Sequence, residues 1–163
     1  MYRELKENKP HGTKEYSYTQ YFMHNPKRAF HIPVHWHDEV EIIYIKKGRI
    51  NIYIGEEKFE ATAGDLFFVN SGELHFMESD DMGVEYYTLL FPLTFLSFQI
   101  EDALEQEVFL PLRQKKLQFP LLIEETQMQS QVLQKVKDVI VVNDEKEIGY
   151  QLKTRILLLE IME

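Results

Sequence analysis

The stretch that decides the fold is His35–Gly48, HWHDEVEIIYIKKG. It reads as two histidines separated by one residue, then three residues, a glutamate, six residues and a glycine. Alternate side chains of a β-strand point to the same face of a sheet. On one continuous strand His35, His37 and Glu41 would share a face, and Trp36 would point away from it. We therefore predict that two imidazoles and a carboxylate meet at one point of a sheet.

A second stretch, Gly64–His75, GDLFFVNSGELH, reads as a turn, an apolar strand, another turn and a histidine. Folded as a hairpin beside the first stretch, it would place His75 opposite the other ligand-type residues. Three imidazoles and a carboxylate suit a divalent transition metal such as zinc, nickel, manganese or iron, because neutral nitrogen donors satisfy borderline ions and the carboxylate offsets charge. The alternative is a polar pocket in which the same four side chains hydrogen-bond an organic effector or water.

Glu39 does not fit the strand pattern neatly. It has the same parity as the proposed ligands, so either it also points inward or the strand bulges near Asp38. The histidines outside the two stretches have no predicted role; they are His11, His24 and His31.

Short β-rich runs separated by turn signals surround these two stretches. They are Tyr16–Met23, Val40–Lys46, Arg49–Ile54, Lys58–Ala61, Asp65–Val69 and Val84–Phe91. Turns that recur every eight to twelve residues or so are typical of a β-sandwich or a closed barrel. The chain also carries 11 Phe and 9 Tyr, and aromatic residues favour pleated, half-buried surfaces. We therefore predict a mainly β fold.

The C-terminal part has a different residue pattern, which is typical of helices. Between the two parts, Leu93–Leu110 is predicted to form a short helix and a loop, and Leu117–Ile123 one more strand. From Thr126 onward apolar residues recur at helical spacing: Val132, Leu133, Val136, Val139 and Ile140. Asn143-Asp144 is predicted to break this helix. A second helix, from about Lys146 to Met162, has a stripe of Ile148, Leu152, Ile156 and Leu159, widened by Leu157, Leu158 and Ile161.

The second helix has an apolar face wider than a lone barrel needs to cover. Leu157, Leu158 and Ile161 are the residues expected to remain uncovered, and we predict that they support a homodimer. The alternative is that both helices pack on their own domain.

Composition excludes several classes of protein. At 163 residues the chain has room for one barrel-sized domain and an appendage. Its net charge of −9 repels phosphate backbones, so this chain by itself is not expected to hold DNA. It contains no cysteine, which leaves out disulfides, thiolate metal sites and cysteine nucleophiles. The polar N-terminus and the lack of a long apolar run predict a cytoplasmic protein with no membrane partner.

The two stretches resemble the two motifs of the cupin barrels. The matching residues are His35, His37, Glu41 and Gly48 for the first motif and Gly64, Gly72 and His75 for the second. Two positions depart from the pattern, since Asn70 stands where cupins usually carry proline and Ser79 where they often carry asparagine. Neither position supplies a metal ligand.

More narrowly, the run from His35 to Pro92 looks like the effector-binding domain of arabinose-regulator-type (AraC family) bacterial transcription factors. The resembling phrases are HWHDEVEIIYIKKG, FEATAGDLFFVNSGELHFM and EYYTLLFPLTFL. The resemblance implies a mainly β cupin jelly-roll barrel followed by a C-terminal pair of α-helices. It divides the chain into a flexible arm (1–15), an effector-binding barrel (16–125) and a helical dimerisation or linker segment (126–163). The DNA-binding helix-turn-helix domain of such a regulator is expected beyond Glu163.

The implied function is effector sensing, not catalysis. A small polar molecule, such as a carbohydrate or a related metabolite, would enter the barrel and contact His35, His37, Glu41 and His75. By their position relative to Phe91-Pro92, Tyr86 and Thr88 match effector-contacting places in the family, although Tyr86 is also interpretable as a core aromatic. No cofactor is required, and a divalent ion on the four ligand-type residues is optional.

The implied partners are a second copy of the chain, through the C-terminal helices, and DNA only through the further domain. The rival interpretation is a metal-dependent cupin enzyme, such as an isomerase, decarboxylase or dioxygenase, in which the same four residues hold a catalytic ion. Two features count against the rival: no separate general base stands in a motif, and a long helix pair is unusual for a small stand-alone cupin enzyme.

Overall fold

A computed structural model of the chain describes residues 2–25, 29–98, 100, 102–123 and 127–163. Over these residues the chain forms a short 3₁₀ turn, Arg3–Leu5, and then eight strands followed by helices. The strands are β1 Thr19–Asn25, β2 Phe30–His35, β3 Val40–Lys47, β4 Arg49–Ile54, β5 Glu57–Thr62, β6 Leu66–Val69, β7 His75–Ser79 and β8 Val84–Phe91. The α-helices are α1 Leu110–Arg113, α2 Gln127–Glu145 and α3 Tyr150–Met162.

The strands form two antiparallel sheets of four. The first sheet has the order β1-β8-β3-β6 and the second the order β2-β7-β4-β5. After the β4–β5 hairpin the chain crosses from one sheet to the other at each step, which is the double-sheet arrangement of a jelly roll. The predicted mainly β jelly-roll fold with a helical C-terminal pair is confirmed.

Strand β3 is buried on both of its faces. Ile43 and Ile45 point between the two sheets and pack with isoleucines of β4. Val40 and Ile42 point the other way, onto a second core shared with the helices. Glu41 has the parity of Ile43, so the fold places a carboxylate among the interior side chains of the barrel.

The helices cover the outer face of the first sheet. Val136 and Val139 of α2 and Leu158 of α3 are essentially unexposed in the core that they share with that sheet. Gln20 of β1 ties the layers together, because its amide donates to the Ile140 carbonyl at 3.1 Å. None of the helices in the described ranges combines the length and the apolar character that crossing a bilayer requires.

The prediction for the faces of the second helix was wrong. Leu158 and Ile161 were expected to stay uncovered, but they are buried in the core of their own domain. Leu152 and Ile156 of α3 are exposed instead, and Ile148, also exposed, lies in the turn before the helix, which begins at Tyr150 and not at about Lys146. Both rows were predicted at helical spacing, so periodicity alone could not tell which one the barrel would cover.

The predicted helix break at Asn143-Asp144 was also wrong. Helix α2 continues to Glu145, and the turn follows with Lys146 at φ 51° and Gly149 at φ 85°. Asn143 is tolerated inside the helix because its amide donates to the Val139 carbonyl and to Thr154 Oγ1 of α3, at 2.9 and 2.8 Å. The predicted helix start at Thr126 lies outside the described residues.

Two strands escaped the pattern-based prediction. Strand β2 contains Pro33, which is tolerated because β2 lies at an edge of its sheet. Strand β7 is short and follows directly on the Ser71-Gly72 turn. The predicted strand Leu117–Ile123 is only an isolated bridge between Phe67 and Leu122.

The connection after β8 contains the expected mixture of short helices and loop. A 3₁₀ turn spans Leu93–Phe95, and a π-helical turn, Glu105–Phe109, leads into α1. Buried Leu93 and Phe109 anchor both turns in the core beneath the helices.

Candidate functional site

The first motif is built from two strands that belong to different sheets. His35 ends β2 in the second sheet, Glu41 lies on β3 in the first sheet, and His37 lies in the bend between them. The prediction of one continuous strand was therefore wrong, although the three side chains do converge. Asp38 and Glu39 occupy the bend, which explains why Glu39 did not fit the alternation.

The second motif delivers His75 beside His35. The two residues are register partners in the antiparallel pairing of β2 with β7, and their ring centroids are 4.2 Å apart. The turn before β7 is fastened to the first motif, because the Gly72 N–H donates to the His37 carbonyl at 2.7 Å. The predicted meeting of the two stretches is thus present in the fold.

Each histidine of the cluster has one ring nitrogen tied to a backbone carbonyl. The Nδ1 distances are 2.8 Å from His35 to the Pro33 oxygen, 3.1 Å from His37 to the Glu39 oxygen and 2.9 Å from His75 to the Glu73 oxygen. A carbonyl can only accept, so each Nδ1 carries the proton and each Nε2 is left for another partner. One ring nitrogen from each of the three histidines lies within 4.8 Å of those of the other two.

Glu41 lies against two of these imidazoles. Its Oε2 is 3.0 Å from His37 Nε2 and 3.1 Å from His75 Nε2, and the residue is 5% exposed. Within the described part of the chain, His75 Nε2 is buried and has no partner in hydrogen-bonding geometry. A carboxylate facing unprotonated Nε2 lone pairs is repelled unless a proton or a cation lies between them. The arrangement therefore favours a positive charge at the centre of the cluster.

The ionisation of the pair follows from its burial and its contacts. Burial alone would raise the pKa of Glu41, but the adjacent imidazoles of His37 and His75 lower it far below its ordinary value. Burial opposes charge on His37 as well, yet the Glu41 carboxylate raises the pKa of that imidazole. The pKa of His35 is lowered, first by burial and then by the proximity of His75. Glu41 is therefore an anion that retains a cationic neighbour.

A cavity of about 190 Å³ opens beside the cluster. Its polar lining includes His35, His37, Glu41, Tyr86 and Thr88, and its apolar lining comes from Met23, Ile32, Met77 and Leu90. Five of the six predicted site residues thus face this space, and the sixth, His75, contacts Glu41. Tyr86 is 3% exposed and stacks on Phe30; burial, and then the charge of Glu41, raise its pKa.

The sequence reasoning missed the contribution of the N-terminal arm. Residues Glu7, Lys9 and His11 line the same cavity, together with Tyr21 of β1. His11, which had no predicted role, is 9% exposed, and its ring centroid is 5.6 Å from that of His37. The arm has no strand or helix periodicity, so no pattern pointed to this placement. The flexibility predicted for residues 1–15 stays a prediction.

The other unassigned histidines lie away from the cavity. His24 is 3.5 Å from Glu85, and His31 is 3.6 Å from Glu78, both on exposed side chains. They take no part in the cluster.

The chain matches the AraC-like ligand binding domain family over residues 18–162. It belongs to this family. A 51-residue segment is 47% identical to an uncharacterized HTH-type transcriptional regulator, YdeC, of Bacillus subtilis strain 168, and covers 31% of this chain. The match spans only 18% of that regulator's length.

Solved structures give partial similarities to cupin proteins. Oxalate decarboxylase of Bacillus subtilis, a protein with Mn(II) centres, is 25% identical with a TM-score of 0.41. The match covers 46% of this chain and 21% of the decarboxylase chain. An RmlC-like cupin from Shewanella frigidimarina is 20% identical with a TM-score of 0.42, and the match covers 46% of this chain and 66% of the cupin chain. Similarity at this level does not indicate a ligand or an activity for this chain.

Proposed function

We propose that this chain is the effector-sensing domain of a transcription regulator and that a small polar molecule binds in the barrel cavity at a divalent transition-metal ion. Membership of a ligand-binding family supports the sensing role. One observation carries the metal part: three imidazoles have Nδ1 bound to carbonyls, with Nε2 directed into one cluster beside a buried carboxylate. That tautomer and that donor set are the ones that borderline divalent ions prefer.

His35, His37, His75 and Glu41 would hold the ion. When bound, the ion supplies a Lewis-acid centre to which oxygen atoms of an effector can coordinate. Glu41 offsets part of its charge, and the backbone carbonyls hold each ring in the required orientation. Buried His75 Nε2, which lacks a hydrogen-bond partner among the described residues, would gain one.

The rest of the cavity determines which effectors fit. The space of about 190 Å³ is smaller than the roughly 300–1,000 Å³ of pockets for drug-sized ligands. Hydroxyl groups of Tyr86 and Thr88 would hydrogen-bond oxygen atoms of the effector, while Met23 and Met77 would contact its carbon skeleton. A carbohydrate or a related oxygen-rich metabolite suits such a lining.

Sensing requires that the effector change an equilibrium between two arrangements of the regulator. The arm and the α2–α3 pair are the elements of this chain that could transmit the change. DNA would be read by a helix-turn-helix domain outside residues 1–163, as the name of the Bacillus relative suggests. The net charge of −9 on this chain agrees with that division of labour, because a strongly acidic surface repels DNA.

Dimerisation is the second part of the proposal, and it uses exposed apolar side chains at the start of α3. Leu152 and Ile156 of α3 are 65% and 47% exposed, and Ile148, in the turn that precedes α3, is 107% exposed. The same side chains of a second copy would bury them. Leu152→Glu should give a monomer in analytical ultracentrifugation, whereas the nearby exposed substitution Lys153→Glu should leave a dimer. A wild-type chain that is monomeric at tens of micromolar would refute the dimer.

A metal-dependent enzyme would use the same four residues, and the family membership is the observation that favours sensing. Effector recovered chemically unchanged after prolonged incubation with metal-loaded protein is the expected result. Conversion of the effector would establish the isomerase, decarboxylase or dioxygenase alternative instead.

The metal part is tested on chelator-treated protein by elemental analysis and by titration with zinc, nickel, manganese and iron(II) salts. One bound ion per chain is expected, and His75→Gln should lose it. His31→Gln, at an exposed histidine with a comparable carboxylate neighbour, is the matched control and should keep it. A thermal-shift screen of sugars with and without the ion then tests the effector class. No binding of any of the four ions would remove the metal and leave a polar pocket.

A further inference from the structure

The N-terminal arm carries a second carboxylate to the histidine cluster. Glu7 Oε2 is 3.1 Å from His11 Nε2 and 3.9 Å from His35 Nε2. His11 is oriented in turn by Tyr21, whose hydroxyl is 3.3 Å from His11 Nδ1. The Glu7 carboxylate is therefore held at the edge of the cluster by His11 of the arm, which Tyr21 of β1 positions, and it remains 29% exposed.

The backbone of the arm is fastened to the central residue of the His-x-His pair. The Trp36 N–H donates to the Leu5 carbonyl at 3.1 Å, and the Glu7 N–H donates to the Trp36 carbonyl at 2.9 Å. The Trp36 indole N–H donates to the Tyr2 carbonyl at 2.7 Å, and the Lys6 ammonium lies over the indole ring. Trp36, which separates His35 from His37, therefore carries the contacts that dock the arm.

The position of Glu7 matters for the charge balance of an ion bound at the histidine cluster. Glu7 and Glu41 both approach imidazoles whose Nδ1 protons are already donated to carbonyls. A divalent ion at the cluster would be neutralised by two carboxylates, whereas Glu41 alone leaves one positive charge uncompensated in a largely buried site. Glu39 of the first motif lies 3.7 Å from His37, but it faces Nδ1, which already donates to the Glu39 carbonyl. The second carboxylate that faces an Nε2 of the cluster therefore comes from the arm.

We infer that Glu7 is an additional ligand group for the ion of the histidine cluster and that, by binding it, Glu7 fastens the N-terminal arm over the cavity. This inference rests on the metal part of the proposed function. Ion affinity and arm docking are then linked, and by thermodynamic reciprocity each strengthens the other by the same factor. The arm closes the cavity from the side that Lys9 and His11 line.

Zn²⁺ alone is the probe, added to the chelator-treated full chain. Trp36 is the chain's single tryptophan, so its fluorescence reports directly on the docked arm, and trypsin cleavage after Arg3 and Lys6 reports on its release. Zn²⁺ should change the Trp36 emission and protect both cleavage sites. In calorimetric titration Glu7→Gln should weaken Zn²⁺ binding about tenfold or more, as loss of groups around a metal typically does, and should abolish the protection.

Glu4→Gln is the matched control, since Glu4 is an exposed carboxylate on the same arm. It should bind Zn²⁺ within twofold or so of wild type, because remote exposed charges interact weakly. Deletion of residues 2–8 is a second variant that does not depend on how Gln packs, and it should weaken Zn²⁺ binding by about the same factor as Glu7→Gln.

The outcomes separate this inference from the proposed function. Equal Zn²⁺ affinity of wild type, Glu7→Gln and the deletion would overturn the role of Glu7 while leaving the metal site standing. Weakened binding by Glu7→Gln without any change in Trp36 emission or proteolysis would overturn the fastening of the arm. If wild type binds no Zn²⁺ but binds nickel, manganese or iron(II), the same comparison of variants applies to that ion. If it binds none of the four ions, both the inference and the metal part of the proposed function fail.

Discussion

Glu41→Gln should destabilise the metal-free protein in a way that depends on pH. The substitution keeps the shape of the side chain and removes a buried charge that lies 3.0 Å from His37 Nε2. At an effective dielectric constant of about 20, opposite charges at that distance attract by about 5.5 kcal/mol. Breaking a buried pair by removing one partner costs about 3–5 kcal/mol, because the other charge is left uncompensated.

The pH window follows from the two pKa shifts. The lowered pKa of Glu41 means that its contribution is present above the unfolded value of 4.5 and is lost as pH falls through the folded value. The raised pKa of His37 means that its contribution is present below the unfolded value of 6.5 and is lost as pH rises through the folded value. The pair is therefore most stabilising between these two limits.

The assay is urea unfolding of chelator-treated protein at about pH 5.5 and at about pH 9. At the lower pH the variant should lose about 3–5 kcal/mol of unfolding free energy, a fall in Tm of about 10 °C for a chain of this size. At the higher pH neutral imidazoles surround a buried carboxylate, so replacing it with a neutral amide should cost nothing or stabilise the protein.

The control is Glu78→Gln, which removes a carboxylate beside exposed His31, 3.6 Å away. It should change the unfolding free energy by less than about 1 kcal/mol at both pH values. An equal loss for Glu41→Gln at the two pH values, or no loss at the lower one, would refute the assignment of a charged pair in the cluster.

Three further predictions concern packing, the helix pair and the cavity. Gly48→Ala should lower the unfolding free energy by about 1–3 kcal/mol in urea titration, because Gly48 has φ +87° and a Cβ there would lie 3.0 Å from Val84 Cγ2; no loss would contradict the close approach. Thr154→Val should cost about 1–3 kcal/mol by the same measurement, since Asn143 loses an acceptor at 2.8 Å between α2 and α3, and a neutral effect would show that water replaces it. Tyr86→Phe should weaken binding of the effector identified by the thermal-shift screen about fivefold to tenfold in calorimetric titration, which corresponds to the loss of one hydrogen bond. Stability should change little. Unchanged affinity would show that Tyr86 is a core aromatic and not a contact of the effector.

Much of the barrel was predictable from local patterns. Runs of β-branched, aromatic and other apolar residues between turn signals located six of the eight described strands, because such residues suit pleated, buried surfaces and turn residues mark where each strand ends. The two misses have local causes. Strand β2 carries a proline at a sheet edge, and β7, His75–Ser79, contains only two apolar residues, Phe76 and Met77.

The helix pair shows where periodicity stops being informative. The two helices were predicted, but the face assigned to a partner was the wrong one, because Leu158 and Ile161 pack on the domain's own core. Helical spacing reveals that two apolar rows exist on α3, and only the shape of the neighbouring sheet decides which row it buries. Asn143 likewise looked like a helix breaker until its partner Thr154 was in place.

The sequence by itself determined the chemistry of the site, since His35, His37, Glu41 and His75 stand at the spacing of two recognisable motifs. Tertiary structure alone decided how they meet: across a bend between two sheets, with each ring oriented by a backbone carbonyl two residues away. It also decided that the arm joins them, because the contact between Glu7 and His35 depends on where the chain docks and leaves no periodic trace. Residue types and local patterns depend only on residues that are close in sequence. Contacts between distant segments form only when the whole chain reaches its lowest free energy.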